Sequence, residues 1–437
     1  MSHRRILFLT LSTLSLFLTI TWSSQANSLF GPAPRQTGFF YTYANHTNKS
    51  ASRVIATNET YAMLQSTQTI SSTDGTQTLQ AGSLYPVADA NTANSCALLV
   101  NSQVLQVPTS AVSILTVPTG SPSPVKTFGT KVVLAFDDST SLQTMTHVQE
   151  NISILSPLSF FVTSGRGTIQ GSLSKSLINA AKLRGVQIWP IVESGFNPTR
   201  TTSLLQNPTA EFTLLKNIVQ AVENNQLDGI NLDFEDMIPS DRAPLTRLVT
   251  ALAEVLHTMG KGLSVDVTPP SNDPNWGVVY DRAAIAQAAN YEVVMTYDEH
   301  YQGDPIPGST SSLPWMEQGI DNTLQLGVPA SKILIGIPFY TLDWTYSNHA
   351  WQSQYLGMDQ ALSYLSAPNA TVTWSTVVHQ DILRYQTTQQ HIVWLENATS
   401  LSERGAFVKQ SGVAGVGIWQ IGLSQPSDLA SLMAPFQ

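Results

Sequence analysis

A single cysteine, Cys96, in 437 residues leaves no intrachain disulfide possible and no zinc site built on paired thiolates. Charge is scarce as well. Only 12% of residues are Asp, Glu, Lys or Arg, and 30 acids outweigh 21 bases to give a net charge of −9. No basic stripe is present to neutralise phosphates, which argues against a nucleic-acid partner. The low charge does not signal disorder, because 42% of the chain is hydrophobic and can form a large core. The surface must lean on Ser, Thr, Asn and Gln, a composition that fits an exported globular protein.

One long apolar run is present, at the N-terminus. "MSHRRILFLTLSTLSLFLTITWSSQANS" starts with Arg4 and Arg5, stays apolar to Trp22, and reaches small residues at Ala26. These are the parts of a secretory signal peptide, so residues 1–26 are assigned to one, cleaved after Ala26. The alternative is a retained anchor, since the run is close to bilayer-spanning length. The expectation is a secreted or cell-wall-associated protein, monomeric and without stable membrane insertion after cleavage.

Short apolar runs separated by turn residues fill residues 38–118, for example "YAMLQSTQTI" and "CALLVNSQVLQV". They predict a small all-β module. Its pattern resembles bacterial Src-homology-3-like wall-binding domains; a packing domain is the other reading. "TGSPSP", residues 119–124, is a Pro/Ser/Gly linker. Beyond it, Val- and Ile-rich runs alternate with segments of helical period, the signature of a parallel sheet covered by helices.

Eight strand candidates begin at Lys131, Ile152, Gly185, Asp228, Gly262, Tyr291, Lys332 and Gly412. Asn207 and Pro208 can start one intervening helix, and Leu245, Leu248, Leu252 and Val255 share a face of another. The predicted fold is α/β: a (β/α)8 TIM barrel over residues 125–437, above the usual ~250 residues for that architecture. The surplus is assigned to a small α+β insertion before the last strand, about residues 345–411. There "TVTWSTVV", "ILRYQTT" and "HIVWLEN" read as antiparallel strands.

The fourth candidate, "DGINLDFEDM", is acidic where a buried strand is expected. Alternation turns Ile230, Leu232 and Phe234 to one side and Gly229, Asn231, Asp233 and Glu235 to the other. Asp228 and Asp236 fall outside the inward acidic row. Glu235 comes last, at the C-terminal end where barrel enzymes place their chemistry. A calcium site would wind its ligands around a turn, not along a straight strand. No metal and no cofactor is therefore expected. Asp233 and Glu235 lie on one surface, Cα atoms roughly 6–7 Å apart. Glycosidases usually place two carboxyls on opposite sides of the scissile bond, which this pair cannot easily do. Adjacency instead disfavours double ionisation and keeps one carboxyl protonated. A nucleophile must then come from elsewhere, and a substrate group is one candidate.

"DGINLDFE" resembles the fourth-strand signature of glycoside hydrolase family 18, Asp-x-x-Asp-x-Asp-x-Glu. "MTYD", ending at Asp298, "GIPFYTLDW", starting at Gly336, and "GVGIWQIG", containing Trp419, resemble its sixth-, seventh- and eighth-strand motifs. The departure is Asn231, where many members carry Asp. Asn there, with Phe234 and "HIVWLENATS", is similar to the branch of spore-cortex-lytic and wall N-acetylglucosaminidases. The resemblance implies Glu235 as general acid and base, with Asp233 orienting the substrate's 2-acetamido group as internal nucleophile and Tyr297 hydrogen-bonding that group. It further implies substrate contacts from Asn231, Asp298, Met295, Tyr340 and Trp419. The implied activity is retaining cleavage of β-1,4 N-acetylglucosaminyl linkages in peptidoglycan. A chitinase or endo-acting enzyme on other GlcNAc polymers is the same-chemistry alternative. A non-catalytic lectin on the same barrel is the alternative of another class.

Overall fold

Strands rich in Val and Ile, separated by amphipathic helices, bury both faces only when helices cover a parallel sheet. The computed structural model describes residues 58–72, 75–89, 91–138 and 152–436. The signal segment 1–26 and residues 38–57 of the expected β module lie outside the described residues. Eight parallel strands form a closed barrel. In order they are Val132–Asp137, Ile154–Val162, a third strand in two pieces (Gln187–Ile188 and Ile191–Glu193) and Gly229–Asp233. Gly262–Val267, Tyr291–Val294, Ile333–Pro338 and Gly415–Trp419 complete the set. Strand one closes the ring, pairing with strand two through Leu134↔Ile154 and with strand eight through Val416↔Val133. All eight expected strands are present.

Local chemistry sets the helices. The Asn207 side chain accepts from the amides of Thr209 and Ala210, and Pro208 opens helix Pro208–Asn225, where its missing N–H is no loss. Leu215, Ile218 and Val222 of that helix are buried, as are Leu245, Leu248, Leu252 and Val255 of helix Arg242–Thr258. They share one core with Ile230, Leu232 and Phe234, so strand four turns its apolar set to the helices as alternation requires.

Trp189 fills the N-terminal end of the barrel interior. It is 1% exposed, donates its indole N–H to Gln187 Oε1 at 2.9 Å, and stacks 6.1 Å from Tyr291. Strands four and five make room by starting with glycine. A Cβ on Gly229 would lie 2.7 Å from the indole, and one on Gly262 only 2.0 Å away. Phe136, Ile154, Ile191, Val293 and Leu334 pack in the same interior cluster.

The N-terminal strands form a three-stranded sheet (Leu84–Pro86, Asn58–Leu64, Val112–Pro118) and two hairpins, Gln68–Ser72 with Gly75–Leu79 and Ser95–Val100 with Gln103–Pro108. Strand Asn58–Leu64 is buried on both sides. Ala62 and Leu64 pack with Leu98, Val100 and Leu105 of the hairpins, whereas Tyr61 and Met63 join the core under the barrel helices. The Tyr61 hydroxyl lies 2.6 Å from Thr258 Oγ1, and the Gly120 amide donates to the Thr258 carbonyl at 2.9 Å.

The insertion is a five-stranded antiparallel sheet with a short helix, Met358–Ser363, around Leu356, Ala361, Leu383, Val393 and Leu395. Its last three strands, Thr371–Ser375, Gln380–Gln386 and Gln390–Leu395, match the expected ones. The sheet starts earlier than residue 345, at Tyr340–Ser347, which pairs with Ala350–Gly357. The seventh-strand motif is thus split: Ile333–Pro338 belongs to the barrel, and the chain after Phe339 enters the insertion.

Gly262→Ala is expected to cost about 1–3 kcal/mol by forcing the Trp189 ring aside. Adding Trp189→Phe should recover part of that loss in urea denaturation. Equal stability of the single variant and the parent would contradict the fit of the indole.

Candidate active site

The inward residues of strands three to six climb from the Trp189 floor to the C-terminal mouth. Strand four supplies Gly229 against the indole, then Asn231, then Asp233. Asn231 is fully buried, and its amide donates to Ser264 Oγ at 2.9 Å and Asp266 Oδ1 at 2.8 Å on strand five. Its contacts therefore run sideways to strand five, beneath the mouth. Asp233 is 9% exposed and lies in register with Glu193 of strand three. Asp228 points out of this row and accepts from the Ile188 amide at 3.0 Å, tying strand four to strand three.

Glu235 follows the end of strand four and is half-buried. Three neighbours clamp its backbone. Ser194 Oγ accepts from the Glu235 amide at 3.3 Å, and the Tyr280 hydroxyl donates to the Phe234 carbonyl at 2.9 Å. The Met237 amide reaches the Asn275 carbonyl at 3.4 Å. Asp236, just after the acid, adopts φ +48°, a left-handed conformation that a non-glycine residue keeps only when its surroundings enforce it.

Strands six to eight form the opposite wall. Tyr297 is half-buried, and Asp298 stands at the mouth in another left-handed conformation, φ +63°. The Tyr340 hydroxyl donates to Asp298 Oδ1 at 2.6 Å, with the Tyr297 and Tyr340 rings edge to face at 6.3 Å. Met295 is 7% exposed and follows Tyr291 and Val293 of the interior cluster in the inward row, two residues below Tyr297. Trp419 ends strand eight, half-buried, its ring 5.4 Å from Phe136. Asp233, Glu235, Tyr297, Asp298, Tyr340 and Trp419 thus gather at one end of the barrel, with Asn231 beneath them.

Burial dominates the electrostatics. It raises Asp233 to about 7, with Glu193 adding to the rise and the Glu235 carboxyl, as hydrogen-bond donor, opposing it. Glu235 is pushed well above the usual carboxylate range by burial first, then by Asp233, Asp266, Asp298 and Glu193. Asp298 rises to about 6 through burial, tempered by the Tyr340 hydroxyl. A proton-bearing Glu235 beside a carboxylate is the state a general acid needs.

Glu193, Ser194, Asp266 and Tyr280 were not among the expected site residues. Asp266 had a signal, because alternation along "GLSVD" turns Gly262, Ser264 and Asp266 inward together. Tyr280 lies in the loop after strand five, and nothing local in the sequence marks it. On strand one, Val133 and Ala135 face the helices, so Asp137 belongs to the outward set. The next residue, Asp138, is exposed just past the end of strand one, its amide donating to Gln420 Oε1 at 3.4 Å.

The model of glycosyl hydrolases family 18 matches residues 128–423. The chain belongs to that family. It is a glycoside hydrolase. Relatives include the uncharacterized glycosylase YvbX of Bacillus subtilis, 25% identical over 280 residues, 60% of this chain and 78% of that protein. The cortical fragment-lytic enzyme of Bacillus subtilis is 26% identical over 240 residues, 53% of this chain and 55% of that relative. The chain thus spans little more than half of the latter's length. The solved chitinase of Chromobacterium violaceum shares the fold with TM-score 0.64 at 23% identity, over 69% of this chain and 98% of that one.

Stability should depend on pH through these carboxyls. Asp298 and Asp233 sit near 6 and 7 in the folded protein, and buried Glu211 and Glu292 near 7 and 8, all above their unfolded values. The folded state therefore holds protons that the unfolded chain releases. That contribution is complete below ~4 and disappears as pH climbs through the folded values. Tm is expected to fall between about pH 5 and about pH 8, and Asp233→Asn to flatten the slope. A Tm that rises across this interval would contradict the assignment.

Proposed function

We propose that this family 18 enzyme cleaves β-1,4 N-acetylglucosaminyl linkages in peptidoglycan with retention, using the substrate's acetamido oxygen as nucleophile. The observation that carries this reading is the one-sided placement of the carboxyls. Glu235 and Asp233 share a strand, two residues apart, so both approach a bound sugar from the same side. Two flanking carboxyls are the ordinary requirement, and a substrate-borne nucleophile is the known exception.

In this mechanism Glu235 protonates the glycosidic oxygen and later accepts a proton from the attacking water. Asp233 orients the acetamido group and balances the charge that develops on it. Tyr297 donates a hydrogen bond to the same group. Asp298, held by Tyr340, binds a sugar hydroxyl, and Trp419 supports the apolar face of the ring. Asn231 acts from below through Asp266, and Met295 shapes the wall. Similarity to the cortical fragment-lytic enzyme supports a wall glycan as substrate, and residues 1–26 would supply the export signal for a secreted or wall-associated location.

Glu235→Gln should lower kcat by about 10²–10⁴ while glycan binding survives. Purified peptidoglycan and chitin digested side by side, with new reducing ends identified by mass spectrometry, test the substrate. Reducing N-acetylglucosamine from peptidoglycan is expected. Reducing muramic acid would contradict the linkage, and cleavage confined to chitin would make the enzyme a chitinase.

A further inference from the structure

Asp233 is the middle member of a row of carboxyls crossing three neighbouring strands. Glu193 of strand three is in register on one side. On the other, the register Asn231↔Ser264 and Leu232↔Val265 leads one step further to Asp266 of strand five. Adjacent strands lie ~4.8 Å apart, so inward side chains of the row meet sideways, with Glu235 above the middle one. Below Asp233 the next inward residue is Asn231, whose amide donates to Asp266 Oδ1. An amide can donate a hydrogen bond but cannot take up a proton. The titratable carboxyls beside Asp233 in the row are therefore Glu193 and Asp266.

These two neighbours differ. The Arg200 guanidinium offsets the charge of Glu193. Asp266 is 3% exposed; burial and then Asp233 push its carboxyl well above the usual range, and the hydrogen bond from the Asn231 amide opposes that rise. Its charge is the one least compensated, and it lies against the pair that does the chemistry.

We propose that Asp266, fixed by the Asn231 amide and paired sideways with Asp233, is a positioning residue that keeps Glu235 in its proton-bearing form. The proposal rests on the reading of Glu235 as the acid. Each negative charge in a dry pocket raises the cost of another, and removing one eases ionisation of the rest. The other groups facing Glu235 are Asp233 on its own strand, Asp298 after strand six, Glu193 on strand three, and the hydroxyls of Tyr280 and Tyr297. Asp266→Asn leaves all of these in place. It also leaves an amide oxygen able to accept from Asn231, so only the charge is lost.

Two measurements on the full chain decide it. Infrared difference titration follows the carbonyl band of protonated carboxyls in the parent, Asp266→Asn and Glu235→Gln, and the band missing from Glu235→Gln reports Glu235. Asp266→Asn is expected to shift its midpoint down by about one pH unit, a ~10-fold loss of proton affinity. On a GlcNAc tetrasaccharide, the alkaline limb of kcat should move by the same amount, with KM within about twofold of the parent. An unchanged infrared midpoint would overturn the proposal. If Asp266→Asn does not fold, Asp266→Ser carries the same expectation and the same refuting result. A parent inactive on every GlcNAc glycan would refute the glycosidase reading, and the infrared midpoint would still decide the role of Asp266.

Discussion

The packing of one indole against two glycines underlies the rest of this molecule. Trp189 occupies the space that side chains at positions 229 and 262 would take, and it closes the barrel interior from below. A sealed floor keeps bulk water out of the interior, and carboxyls standing above it lose the solvation that would let them ionise at ordinary pH. Asn231 and Ser264 form the first polar layer, the Asn231 amide donating to Ser264 Oγ across the strands. Acidic side chains then accumulate where solvent re-enters at the mouth. The chemistry of the site is in this sense a property of the whole barrel interior.

Electrostatics alone would not orient Glu235. Glu235 lies past the last strand residue, so the regular ladder no longer holds it. Contacts from strand three and from the loop after strand five replace that ladder. Left-handed conformations at Asp236 and Asp298 mark the two points where the backbone turns sharply to present a side chain to the cleft. Tyr340 then joins the insertion to the site, because the first residue of the inserted sheet hydrogen-bonds to Asp298. The insertion is thereby a structural partner of the catalytic end and not a decoration on the barrel.

Much of this was legible in the residues. The shift from short β runs to alternating strands and helices announced the barrel, and Asn207-Pro208 announced a helix start that is present as expected. Alternation on the fourth strand separated inward from outward acids. The same rule extended to "GLSVD" would have found Asp266. Other parts depended on tertiary contacts that leave no local trace. Ser194 and Tyr280 are ordinary loop residues until the fold sets them against the backbone around Glu235. "YTLDWTYS" has the alternation of any strand, and only its pairing with Ala350–Gly357 shows that it has left the barrel. The sideways reach of Asn231 likewise depends on which strand lies next to it.

Strand Asn58–Leu64 belongs to two cores at once. Its Tyr61 and Met63 cover apolar helix surface that would otherwise face water, while Ala62 and Leu64 complete the hairpin cluster. A chain shortened to start at the barrel would bare a hydrophobic patch on the two helices behind strand four. Such patches drive self-association. The N-terminal strands thus keep that patch of the barrel away from water.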